Sequence, residues 1–131
     1  VFPSVEILVC KDRDMSSGVL NSEKDRLLYL KNNPGNHRVI KRWEIENYLY
    51  DKEVLQHYCD VNGLDFDETN YDAFVTDIYN QNLKDETAKI RNFCNLHMSI
   101  NSERFKIELS KCVLQSMAVY KELEDCIFKR L

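Results

Sequence analysis

Val5-Glu6-Ile7-Leu8-Val9-Cys10-Lys11-Asp12-Arg13-Asp14 decides the fold class. Its first six residues are largely apolar and rich in β-branched side chains, and a polar cluster follows at once. That is the pattern of a strand buried in a parallel or mixed sheet, ending in a functional loop. Ser16, Ser17 and Gly18 continue the loop. Asn21-Ser22-Glu23 then opens a helix with Leu20, Leu27, Leu28 and Leu30 on its apolar side, and Asn32-Asn33-Pro34-Gly35-Asn36 stops it. His37-Arg38-Val39-Ile40-Lys41-Arg42-Trp43 reads as a second strand. Strand, helix and strand in so short a stretch make a βαβ-sized unit, for which parallel pairing and a right-handed crossover are the default.

Beyond Glu44 the character changes. Helical patterns run from Glu44 to about Tyr58, then from Asp67 through Tyr71, Phe74, Val75, Ile78 and Tyr79. Two more cover Glu86 to His97 and Ser102 to Arg130, the last breaking near Ser116 to Val119. These apolar stripes are core faces first. The expected architecture is α/β: a partial parallel sheet in residues 1–60, and a largely helical part in 61–131 that packs on it or forms an interface. Two strands alone make a poor sheet. This, and a strand pattern starting almost at the first residue, Val1, leads us to expect a piece of a longer chain.

Bulk composition narrows the classes. The chain has 131 residues, 44% hydrophobic and 31% charged, with net charge −4. It reads as globular, without a uniformly basic nucleic-acid-binding face. Charged residues interrupt every apolar run, so no membrane span is expected, and no signal peptide is visible. Five cysteines without a C-x-x-C pair argue against a disulfide framework and a zinc ribbon, and suit a reducing cytosol. His37, His57 and His97 are far apart and read as surface or helix-end residues rather than ligands.

The chemistry concentrates in acids. Asp12 and Asp14 sit at the carboxyl end of the first strand, where open α/β sheets bind ligands. In extended backbone, residues i and i+2 point the same way, so both carboxylates converge. Converging carboxylates suit a hard cation, Mg²⁺, Mn²⁺ or Ca²⁺. Glu44 and Glu46 follow the second strand, and parallel pairing brings them to the same edge to complete the site. Lys11, Arg13, Arg38, Lys41 and Arg42 lie close by in sequence, with His37; cations around a metal suit a phosphate-bearing substrate. Lys and Arg also serve simply to protect strand edges.

Two stretches carry a resemblance. The run from Val5 to Asp14 resembles the Asp-x-Asp strand of Toprim-like domains. Arg42-Trp43-Glu44-Ile45-Glu46-Asn47-Tyr48-Leu49 resembles the Arg-x-Glu-Ile-Glu-Asn-Tyr-Leu run of Toprim-like domains that follow ATPase modules in bacterial proteins. Those proteins include overcoming-lysogenization-defect-type nucleases and related phage-defence ATPases. The resemblance covers roughly residues 1–58. It implies Mg²⁺ or Mn²⁺ held by Asp12 and Asp14, with Glu44 or Glu46 as a further ligand or supporting acid. It also implies phosphodiester hydrolysis on DNA or RNA through Asp12, Asp14 and Glu46, an upstream ATPase module in the same chain, and homo-oligomers in the cytoplasm. The Glu that Toprim domains carry after an earlier strand has no counterpart before Val1, and no Walker-type run exists. Two alternatives stand beside this reading. One is a non-catalytic interaction or dimerisation domain with a vestigial acidic site. The other is a haloacid-dehalogenase-like phosphatase, in which the first Asp is the nucleophile; position 16, however, is Ser where that class has Thr or Val.

Overall fold

The computed structural model describes residues 6–14, 18–96 and 100–131. The chain is mixed α/β, built on a two-stranded parallel sheet. β1 (Val9–Lys11) and β2 (His37–Val39) pair in the register Val9 to His37, Cys10 to Arg38 and Lys11 to Val39. Between them runs α1 (Glu23–Asn32), opened by Ser22, whose Oγ accepts from Asp25 N–H at 3.1 Å. The expected βαβ unit is therefore present, with shorter strands. Val5 and the loop residues Ser16 and Ser17 lie outside the described residues. β2 ends at Val39 because the chain bends from Lys41 to Trp43, where the Tyr48 hydroxyl accepts from the backbone N–H groups of Lys41 (3.0 Å) and Arg42 (3.2 Å). A ladder extends only as far as both strands do.

The helix expected from Glu44 to Tyr58 is two helices, α2 (Glu46–Leu49) and α3 (Lys52–Asn62). Asp51 divides them: its backbone is extended, and its carboxylate caps α3 by accepting from Glu53 N–H at 3.0 Å. Gly63 ends α3 at φ +65°, a left-handed value that favours glycine. α4 (Glu68–Phe74) stops before Ile78 and Tyr79, because Asp77 turns the chain by accepting from the N–H groups of Tyr79 and Asn80, both at 3.2 Å. A 3₁₀ turn (Lys84–Glu86) leads into α5 (Thr87–Phe93), and His97 lies outside the described residues. The expected long last helix is α6 (Ser102–Ser110) and α7 (Ala118–Phe128), separated by a wider break than the sequence pattern shows.

One hydrophobic cluster draws on both halves of the chain, from Ile40 to Val119. Phe105 stacks on Tyr50 at 6.3 Å between ring centroids and meets Tyr58 edge-on at 5.6 Å. The buried hydroxyls are satisfied, as buried polar groups must be: Tyr71 donates to Tyr50 C=O at 2.6 Å, and the Tyr50 and Thr87 hydroxyls lie 2.7 Å apart. From the first half α1 and from the helical half α7 both pack against β2. Among the described residues, no helix is long and apolar enough to cross a membrane.

Candidate metal centre

The parallel pairing continues past the strand ends. Ile40 N–H donates to Lys11 C=O at 3.3 Å, and Arg13 N–H donates to Trp43 C=O at 3.1 Å. Those two bonds draw residue 44 alongside residues 12 and 14. Asp12, Asp14 and Glu44 each offer a carboxylate oxygen, and the three oxygens lie within 4.8 Å of one another. Asp12 and Asp14 are half-buried, whereas Glu44 is 1% exposed.

The electrostatics are those of a crowded anionic site. Burial first, then the charges of Asp14 and Glu46 and a hydrogen bond with Asp14, raise the Glu44 pKa to about 7. Burial, Asp14 and Glu46 also push Asp12 above its ordinary value, and Lys84 and Lys11 pull it back. Three hard oxygen donors crowded this closely fit a small divalent cation, which would take the place of the proton that Glu44 otherwise holds.

Glu46 is close enough to influence Asp12 and Glu44, yet it has a partner of its own. Lys106 Nζ from α6 lies 3.1 Å from Glu46 Oε1. Of the two glutamates expected at this edge, Glu44 converges on the aspartates and Glu46 pairs with the helical half. The rest of the same run builds the frame. Asn47 Nδ2 donates to Ile78 and Gln81 C=O, each at 2.8 Å.

The arginines expected to meet phosphate are bonded to the protein. Arg13 points away from its flanking aspartates and is 2% exposed. It donates to the carbonyls of Leu20, Asn21, Lys41 and Tyr79 and to Asn80 Oδ1. Arg42 pairs with Asp51 and Glu122, donates to Asn47 C=O, and lies over the Tyr48 and Tyr79 rings. Arg38 donates to the carbonyls of Ile127, Gly35 and His37. Lys11 is buried, with Nζ 2.8 Å from Gly18 C=O. Lys41 is half-buried and shares with Arg13, Glu23 and Asp77 a cleft of about 540 Å³ whose lining includes none of the clustered acids.

Two residues at the site have no signal in the sequence. Lys84 N–H donates to Glu44 Oε1 at 3.3 Å, and Lys106 holds Glu46. Both come from the helical half, 40 and 60 residues beyond their partners. Comparison with protein-family models, curated proteins and solved structures gives no match.

Proposed function

We propose that the chain is the metal-binding part of a nuclease-type, Mg²⁺- or Mn²⁺-dependent phosphodiesterase, with Asp12, Asp14 and Glu44 as ligands. The observation that carries this reading is a fully buried glutamate facing two strand-end aspartates. Crowding two half-buried acids against a fully buried one is costly unless a proton or a cation compensates. The ion, when bound, would supply Lewis-acid polarisation of a phosphate and activation of water. The residues themselves bind and orient: Asp12 and Asp14 come from one strand end, and Glu44 is held by Lys84 N–H. Glu46, engaged by Lys106, supports the site rather than ligating. The Toprim-like resemblance extends the proposal to a nucleic-acid substrate, an upstream ATPase module and assembly with further copies.

A second reading is favoured by one observation: Arg13, Arg38 and Arg42 are spent on protein partners. A non-catalytic docking domain, with the acids as a metal-stabilised scaffold, needs no cations for substrate. Calorimetric titration with Mn²⁺ tests the metal site, using the chain and its Asp12→Ala, Asp14→Ala double variant. Saturable binding lost in the variant supports it, and no binding by the unaltered chain sinks it. Cleavage of plasmid DNA or RNA in Mn²⁺ by the parent protein then separates nuclease from scaffold. Turnover of a phosphomonoester alone would point instead to the phosphatase alternative.

A further inference from the structure

Arg13 carries a buried charge that no acid neutralises. The residue is 2% exposed, and every acceptor its guanidinium meets is neutral: the carbonyls of Leu20, Asn21, Lys41 and Tyr79, and Asn80 Oδ1. Nor are its hydrogens all used. Nη2 carries a pair of them and has one acceptor among the described residues, Asn21 C=O at 2.8 Å. A buried guanidinium with neither a carboxylate nor a full set of acceptors is costly, and an anion would complete it. The cleft of about 540 Å³ that Arg13 lines has room for one, within the roughly 300–1,000 Å³ of small-molecule sites. Lys41 lines it too, half-buried and, like Arg13, in no ion pair among the described residues. The acids in the lining are already engaged. Glu23 accepts from Arg26 at 2.8 and 2.9 Å, and Asp77 from the N–H groups of Tyr79 and Asn80 and from Asn80 Nδ2. The Tyr79 ring, 42% exposed, is held by its hydroxyl, which donates to Glu122 at 2.6 Å.

We propose that this cleft binds a phosphomonoester carried on a flat ring, with the phosphate between Arg13 and Lys41 and the ring against Tyr79. A phosphate dianion matches both cations, and its oxygens accept from the spare guanidinium hydrogen and from the ammonium group. The fixed Tyr79 ring offers the apolar surface on which a flat group stacks. The site uses none of Asp12, Asp14 and Glu44, which do not line the cleft, so it stands or falls apart from the metal reading.

Calorimetric titration in EDTA tests it, with phenyl phosphate, inorganic phosphate and benzoate as probes. Trp43, the chain's one tryptophan, reports the position of the ligand, because the Arg13 guanidinium lies 5.4 Å from its ring centroid. Phenyl phosphate should bind saturably at a single site and change Trp43 fluorescence, and the other two probes should bind about tenfold more weakly or worse. Lys41→Met should weaken phenyl phosphate binding about tenfold, the loss of one charge-assisted contact, and Lys41→Arg should restore most of it. Both variants keep the backbone bonds of residue 41 to the Tyr48 hydroxyl and to Arg13, so unaltered thermal melts are expected. No saturable binding of phenyl phosphate, equal binding by Lys41→Met, or binding without a response from Trp43 would overturn the proposal. Benzoate binding as tightly as phenyl phosphate would overturn the assignment of the phosphate, and inorganic phosphate binding as tightly would overturn that of the ring.

Discussion

Lys106 Nζ lies 3.1 Å from Glu46 Oε1, joining α6 to the residue that opens α2 across 60 positions of sequence. Glu46 is 6% exposed, so removing this partner would leave a buried carboxylate without its ion pair. Lys106→Met should destabilise the fold by about 1–3 kcal/mol, less than for a fully buried pair because the lysine is partly solvated. It should also tighten Mn²⁺ binding, since the unpaired Glu46 adds negative charge beside Asp12 and Glu44. Urea unfolding and Mn²⁺ titration of the variant check the two effects separately. Unchanged stability would mean that the pair is no more than a surface contact.

Arg13 stands between two proposed metal ligands yet belongs to the frame. Its guanidinium bonds reach Tyr79 and Asn80, 66 and 67 residues away, at 3.0 and 2.8 Å. Arg13→Met should strand several carbonyls and cost on the order of 3–5 kcal/mol. Mn²⁺ affinity of the fraction that folds should be nearly unchanged. A variant of normal stability that loses oligonucleotide binding would return Arg13 to the substrate role its position in the sequence suggests.

The βαβ unit was legible because its signals are local. Ser22 caps α1, Pro34 and Gly35 close it, and a helical crossover between the strands makes parallel pairing the default. Asp12 and Asp14 were legible because they directly follow an apolar strand, but β1 ends at Lys11 and residues 13 and 14 form a turn, so the turn rather than strand alternation brings their carboxylates together. The choice between Glu44 and Glu46 was not. They are also two apart, but Glu44 lies in the bend after β2 and Glu46 begins a helix, so they diverge instead of alternating. Lys84, Lys106, the Tyr79 and Asn80 partners of Arg13 and the Glu122 partner of Arg42 come from the helical half at long range, through contacts that no local spacing encodes.

Asp14→Asn separates binding from folding. In metal-free protein it removes the carboxylate that crowds Asp12 and Glu44 while keeping an oxygen and a donor beside Glu44. The variant should therefore melt no lower than the unaltered chain, and somewhat higher. Mn²⁺ at one hundred times its dissociation constant should stabilise the unaltered chain by about 2.7 kcal/mol and leave the variant nearly unmoved. Thermal melts with EDTA and with Mn²⁺ give both readings. A variant that melts well below the unaltered chain in EDTA would show that Asp14 is a structural partner of Glu44 first.

The pH dependence of the metal-free protein follows from Glu44. Its carboxyl is raised from 4.5 to about 7 in the fold, chiefly by burial and by Asp14, so between those values the folded state holds a proton that the unfolded state has released. Where the native state binds more protons, stability falls as pH rises. The contribution is fully present below about pH 4.5 and is lost as pH climbs through about 7, with Asp12, also raised, acting in the same direction. In EDTA the melting temperature of the unaltered chain should drop across this window, and Glu44→Gln, which cannot ionise, should remove most of the drop. Saturating Mn²⁺ should reverse the slope, because ligand carboxylates bind the ion only when deprotonated. A melting curve in EDTA that is flat or rising between pH 4.5 and 7 would mean that Glu44 ionises as an ordinary glutamate, and the crowding argument for the metal would lose its basis.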